Sequence, residues 1–184
     1  MTKKFIVIIS LLAFASCNIQ KEFYENGEIK AKGKVVNNKK NGKWKLYYED
    51  GNRFQKGKYL NKSEIGVWKI FHENGNLHQI GKFNNGKQDG EWKFFYENRN
   101  KEGIGKLDNG KLIGQWNWYH TNRKIYTERL YTDGKLMNII NCFDGNGKQL
   151  DKGTLKDGNG KLNVYDLEGN LLEVQNFKDG KYIK

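Results

Sequence analysis

Tryptophans stand at positions 44, 68, 92 and 116, a step of 24 residues each time with no insertion or deletion. Around each one the chain repeats itself. WKLYYEDG occupies 44–51, WKIFHENG 68–75, WKFFYENR 92–99 and WNWYHTNR 116–123. A fixed period of this size marks a repeat architecture and outranks any single motif. Each unit is too small to bury an apolar face alone, so neighbours must stack to make a continuous core.

The unit reads as two strands. The first covers 44–48. Glu49, Asp50 and Gly51 turn the chain, with the Asp-Gly pair supplying the positive φ of a tight hairpin. The second strand covers 53–60, and a second turn region over 61–65 leads to the next copy. Asn-Gly or Asp-Gly recurs at 26–27, 85–86, 109–110, 133–134 and 179–180, among others. Apolar runs lack helical spacing, and proline is absent, which suits a chain whose N–H groups are wanted in ladders. The fold class expected is all-β, an elongated array of antiparallel β-hairpins in a twisted single sheet.

Alternation puts Trp44, Leu46 and Tyr48 on one face, with equivalents in each later copy. Gly33, Gly57, Gly81 and Gly105 recur at the same period, and each is expected to leave room for a neighbouring indole ring. The fifth copy is worn: Ile140 stands where Trp is due and Cys142 where Leu46 and Ile70 stood. A sixth copy at 164–169 is shifted by two residues, and 176–184 reads as a last half-hairpin. Degenerate ends are what a repeat array needs where its last face meets water.

Residues 1–16 have Lys3 and Lys4 followed by an apolar run over 5–14, then Ala15, Ser16 and Cys17. This is the layout of a secretory signal, too short to span a bilayer as a stable anchor. Its end, Phe14-Ala15-Ser16-Cys17, resembles the lipobox of bacterial lipoproteins. The resemblance implies that Cys17 becomes the acylated first residue and that acyl chains hold the protein on a membrane. Asn18 rather than Asp follows the Cys, which by the same resemblance implies an outer rather than an inner membrane. The domain plan is then a signal peptide over 1–16, a tether over 17–22 and a repeat domain over 23–184.

Without its signal peptide the chain keeps 168 of its 184 residues, 31 basic against 21 acidic, a net charge of +10. Such a balance favours anionic partners. Export argues against nucleic acid. With Cys17 acylated, Cys142 has no partner for a disulfide.

Convergent catalytic chemistry is not visible in the sequence. His72 and His120 take the place of Tyr48 and Tyr96 and read as residues of the repeat face. Glu25, Glu49, Glu73 and Glu97 sit on turns, where acidic side chains shape the bend. Cysteines and histidines lack zinc spacing, and the Gly-rich spots are hairpin turns with no helix after them. No enzyme, cofactor or metal is expected. Cys142 reads as a buried packing thiol.

The other face of the sheet is the candidate binding surface. Tyr47, Phe71, Phe95 and Tyr119 form an aromatic stripe one period apart. Lys34, Lys58, Lys82 and Lys106 form a ladder beside it, and Lys45, Lys69 and Lys93 another. A solvated lysine face would keep a one-layer sheet soluble. The same face could also grip an anionic partner, with aromatic anchors.

The pattern G-x-W-x-x-[YF]-x-E-N-G followed by G-K-[YFL]-x-[ND]-G-K, over about 23–180, resembles the bacterial MORN-type repeat, and more closely the YwqK-family antitoxin repeat proteins. Arg99 and Arg123 depart from it, standing where the turn Gly belongs. The resemblance implies MORN-type hairpins and an antitoxin- or immunity-like binding lipoprotein at the cell envelope, with a toxin or effector protein as partner. The composition suggests an alternative, a structural or ligand-binding lipoprotein contacting anionic glycan or lipid.

Overall fold

The computed structural model describes residues 18–183. The signal segment and Cys17 lie outside them. Eleven strands follow one another in space as they do in sequence: β1 (Asn18–Phe23), β2 (Ile29–Val36), β3 (Lys39–Tyr47), β4 (Arg53–Leu60), β5 (Ser63–Phe71), β6 (Leu77–Asn84), β7 (Lys87–Phe95), β8 (Lys101–Asp108), β9 (Lys111–Tyr119), β10 (Ile125–Thr132) and β11 (Lys135–Cys142). Every neighbouring pair is antiparallel. The array of hairpins expected from the 24-residue period is therefore the fold.

Two kinds of turn alternate. At 37–38, 61–62, 85–86, 109–110 and 133–134 both residues have positive φ, as in Asn61 (50°) and Lys62 (78°). That is the two-residue mirror-image turn whose twist matches the strands it joins. The region 61–65 is thus only a two-residue turn. Ser63 already belongs to β5, so the Trp-bearing strand starts several residues before its Trp. The wider turns, such as 48–52, close with Gly51 N–H donating to the Tyr48 carbonyl at 3.1 Å. Their bend is held by the Asn or Asp after the Glu: Asp50 Oδ1 accepts from Asn52 N–H at 2.8 Å, and Asn74 Oδ1 from Asn76 N–H at 2.9 Å. The glutamates at 49 and 73 are exposed and do not perform this role.

Residues 18–22 are not a tether. They form edge strand β1, paired with β2 from Asn18↔Val35 onwards. At the far end the array is not one sheet throughout. Residues after Phe143 build a separate three-stranded sheet, β12 (Gly160–Tyr165), β13 (Leu171–Lys178) and β14 (Lys181–Ile183). This segment covers the edge of β11, with Leu136 N–H donating to the Gly180 carbonyl at 3.1 Å and Gly158 N–H to that of Met137 at 2.8 Å. Leu155 and Leu162 pack into the cluster that holds Trp92 and Trp116. The worn fifth copy also differs from its expected register. A bulge between Glu128 and Arg129 throws Ile140 outward, and Ile139 takes the buried place.

The core is the Trp face. Trp44, Trp68, Trp92 and Trp116 are fully buried. Each lies on the glycine of the preceding strand. A Cβ built on Gly33, Gly57, Gly81 or Gly105 would stand 2.1–2.4 Å from the nearest ring atom of Trp44, Trp68, Trp92 or Trp116. Between the rings sit Tyr59 and Phe83, edge-on to both neighbours, as in Tyr59–Trp68 at 5.0 Å and 83°. Edge-to-face pairs of this kind add about 0.5–1.5 kcal/mol each beyond the area they bury. A Gly81→Val chain has no room for its side chain without moving Trp92. It should lose more than about 3 kcal/mol in chemical denaturation. Full retention of stability would show that the ring can move aside.

Candidate functional site

The Trp strands are not regular. Lys58 pairs with Ile65 and Lys56 with Lys69, so three residues of β5 face Gly57 alone. The same interruption recurs between β2 and β3, β6 and β7, and β8 and β9. At each, a glycine two residues before the Trp takes positive φ: Gly42, Gly66, Gly90 and Gly114, at 76°, 65°, 77° and 65°. The interruption breaks the ladder beside Lys34, Lys58, Lys82 and Lys106. Their carbonyls accept the indole N–H of Trp44, Trp68, Trp92 and Trp116 at 2.9, 3.2, 3.2 and 3.0 Å. The candidate lysines Lys34, Lys58, Lys82 and Lys106 therefore have backbone roles in the core, while their side chains project from the opposite face.

A second chain of bonds ties each repeat to the next. Tyr24, Tyr48 and Tyr96 donate their hydroxyls to the carbonyls of Tyr47, Phe71 and Tyr119 at 2.6–2.7 Å. His72 and His120 do the same work, with Nε2 2.8 Å from the Phe95 carbonyl and 2.9 Å from that of Phe143. A carbonyl can only accept, so both rings carry their proton on Nε2. Arg99 and Arg123 keep the positive φ of the glycine they replace, 71° and 77°. Each reaches back one repeat, Nε to Asn76 Oδ1 and to Asn100 Oδ1 at 2.9 Å.

Among the described residues, no group of three His, Cys, Asp or Glu side chains is placed to hold a metal. Cys142 is fully buried, and burial pushes its thiol up to about 11. His78 stacks on His72 with ring centroids 4.2 Å apart. Burial, and then the neighbouring His72, lower its pKa. Burial raises that of nearby Glu102.

The aromatic stripe and the lysines share the face opposite the tryptophans. Tyr47, Phe71, Phe95 and Tyr119 are half-buried there. Lys32 Nζ lies 5.2 Å from the centre of the Tyr47 ring, Lys56 Nζ 5.6 Å from that of Phe71 and Lys101 Nζ 5.0 Å from that of Tyr119. Phe95 has no such cation among the described residues. The pairing register then shows what a 24-residue period hides. Lys21, Lys32, Lys45, Lys56 and Lys69 are successive cross-strand partners, one on each of β1 to β5. The row continues as Ile80, Lys93, Ile104, Asn117 and Glu128, so its charge fades towards β10. Lys43, paired with Lys58, strengthens the parallel ladder at the same end. Lys21, Lys45 and Lys69 form one series at the 24-residue step and Lys32 and Lys56 another, but the period does not show that members of the two series are cross-strand partners. Folding the sequence back at each turn would have exposed the row. None of the five is in an ion pair among the described residues; the pairs there are Lys40–Glu22, Lys93–Glu91 and Lys111–Asp133. Burial and the charges of Arg53, Lys69 and Lys45 lower the pKa of Lys56.

A model of the MORN repeat variant family matches residues 17–37, 40–61, 64–85 and 88–98. The first three coincide with the hairpins β1–β2, β3–β4 and β5–β6, and the fourth with β7. No curated protein matches the chain. The first match includes residues 18–22, in line with their place in a strand. Beyond residue 98 the structure carries the same hairpin on through β10.

Phe54 is the residue one period before His78, so His78→Phe is a substitution the repeat already accommodates. A His with a lowered folded-state pKa binds more protons when unfolded. Its stabilising effect is therefore complete above the unfolded value of about 6.5 and is lost as pH falls below it. Melting curves from pH 7.5 to pH 5 should show a smaller acid loss for His78→Phe than for the parent chain. Equal losses would place the acid sensitivity elsewhere.

Proposed function

We propose that this MORN-repeat protein is a non-catalytic binding lipoprotein of the cell envelope, held by acyl chains on Cys17, at the outer rather than the inner membrane. A partner is bound on the lysine-and-aromatic face of the sheet. The observation that carries this reading is the division between the two faces. The Trp face is filled by its own aromatic chain and, towards the C-terminus, by the small sheet. The opposite face presents half-buried rings under cations and a row of unpaired lysines across five strands. Repeat arrays characteristically bind on such extended surfaces.

Two features of that face favour two partner classes. The stripe of Tyr47, Phe71, Phe95 and Tyr119 supplies rigid anchors of the kind that dominate protein interfaces. It supports an antitoxin- or immunity-like role in which a toxin or effector protein is masked on the sheet. The lysine rows and the net charge support an anionic envelope glycan or lipid.

Metabolic labelling with a fatty acid should mark the full-length chain, and Cys17→Ala should abolish the label. Capture from the native envelope with the tagged full-length chain, at low and at high salt, separates the partners. A protein recovered stoichiometrically at both salts, and weakened about tenfold or more by Phe71→Ala or Phe95→Ala, is the immunity-like result. Glycan or lipid recovered only at low salt is the result of the basic face. An unlabelled chain that captures nothing would overturn the proposal.

A further inference from the structure

The lysine row on β1 to β5 is a local conflict. Like charges directly opposite one another across strands are destabilising. Here Lys21↔Lys32, Lys32↔Lys45, Lys45↔Lys56 and Lys56↔Lys69 place four such pairs in succession. The rings beside Lys32 and Lys56 relieve part of the repulsion, and a local rule broken in this way is expected at functional or strained sites. In later strands the same position holds Ile80, Lys93, Ile104, Asn117 and Glu128, so the hairpin itself does not require lysine there.

The row also borders a furrow. Gly57 faces Trp68, so on the lysine side its backbone lies bare between Lys56 and Lys58, at the base of a depression of about 240 Å³ walled by Lys43, Lys45, Lys56, Lys58 and Lys69. Its floor is apolar, with the exposed Val67 contributing. Related depressions lie over Gly81 and Gly105, but Glu91 lines both. The furrow at Gly57 is the one of these three walled by lysines without a carboxylate.

We propose that the furrow and the row Lys21, Lys32, Lys45, Lys56 and Lys69 bind a linear polysaccharide bearing a carboxylate on its sugar rings, running across the strands of the N-terminal half of the sheet. The inference rests on reading the lysine face as the binding face. The ammonium groups recur once per strand, about 4.8 Å apart, and the furrows once per hairpin, about 10 Å apart. A 1,4-linked hexuronate chain advances one ring and one carboxylate in close to the first distance, and two rings in close to the second. Successive rings turn their carboxylates to different sides, towards the two lysine ladders that flank the furrow, whereas an extended acidic peptide also alternates its carboxylates but has no ring face to set on the apolar floor. A bilayer is flat, whereas a row across a twisted sheet turns away from any plane. The apolar furrow floor suits the C–H face of a sugar ring, with carboxylates reaching the lysines on either side.

The test uses the full-length chain in non-ionic detergent with polygalacturonate as probe. Fully methyl-esterified polygalacturonate, polyglutamate and vesicles of phosphatidylcholine with phosphatidylglycerol serve as comparisons. Binding to polygalacturonate should be tighter than to any of these and should weaken as salt rises. The double variant Lys45→Gln/Lys56→Gln should bind at least about tenfold more weakly with its melting temperature unchanged or raised. Lys161→Gln/Lys178→Gln, on the C-terminal sheet, should bind within about twofold of the parent chain. If the first double variant does not fold, Lys69→Gln alone should show about a threefold loss. Equal or tighter binding to polyglutamate or to vesicles, or equal loss in both double variants, would overturn the inference. That outcome leaves acylation of Cys17 and capture of a protein partner standing; loss of acylation with polygalacturonate binding intact would overturn the envelope placement instead.

Discussion

Each tryptophan ring lies flat on a glycine of the strand before it and gives its N–H to the carbonyl that follows that glycine. Three features of the sequence meet in this contact. The glycine in the second strand supplies the missing Cβ. The positive-φ glycine two residues before the Trp bulges the strand, so that the carbonyl is left for the indole. The tryptophan fills the space and closes the bond. Remove one and the others lose their purpose: a Cβ strikes the ring, a regular ladder would compete for the carbonyl, and a smaller ring leaves a polar group and a cavity in the core. The contact has the same 11-residue step from glycine to tryptophan in all four copies.

From this follows the asymmetry of the sheet. One face is packed by its own side chains, ring edge to ring face, from Trp44 through Tyr59 and Phe83 to Trp92. The hydroxyls of Tyr24, Tyr48 and Tyr96 and the imidazoles of His72 and His120 then join each hairpin to the carbonyls of the next. A layer that closes itself in this way leaves its other face open along its length. The array's far end is finished differently, by the small sheet of β12, β13 and β14 over the edge of β11, while β1 is left as an edge with Ile19 and Phe23 exposed.

Much of this was legible in the residues. The Trp spacing named the repeat, the Asn-Gly pairs named the turns, and the recurring glycines pointed to the rings they accommodate. What escaped had physical reasons. Residues 18–22 lack the Trp and the glycine that mark a hairpin, yet edge strand β1 needs only backbone bonds to β2. Ile140 occupies the periodic position of a Trp, but a bulge gives the buried place to Ile139 because nothing as large as an indole fixes the register there. The C-terminal sheet uses the same hairpin chemistry as the array, and only its packing on the Trp92–Trp116 cluster distinguishes it. Of the candidate surface, the aromatic stripe and the ladder through Lys34 and Lys58 were visible at the repeat period. That Lys32 and Lys56 alternate with Lys45 and Lys69 in a single row was not, because cross-strand neighbours are set by where the chain turns.

If this sheet binds through its lysine face, amine reactivity should report it residue by residue. The measurement is acetylation footprinting of the full-length chain, read by mass spectrometry with and without the material it captures from the envelope. Protection should centre on Lys32, Lys45, Lys56 and Lys69, with Lys111 and Lys135 on β9 and β11 as reactive as in the free chain. Protection confined to Lys152, Lys161 and Lys178 near the C-terminal sheet, or no protection beside a bound partner, would contradict binding on this face.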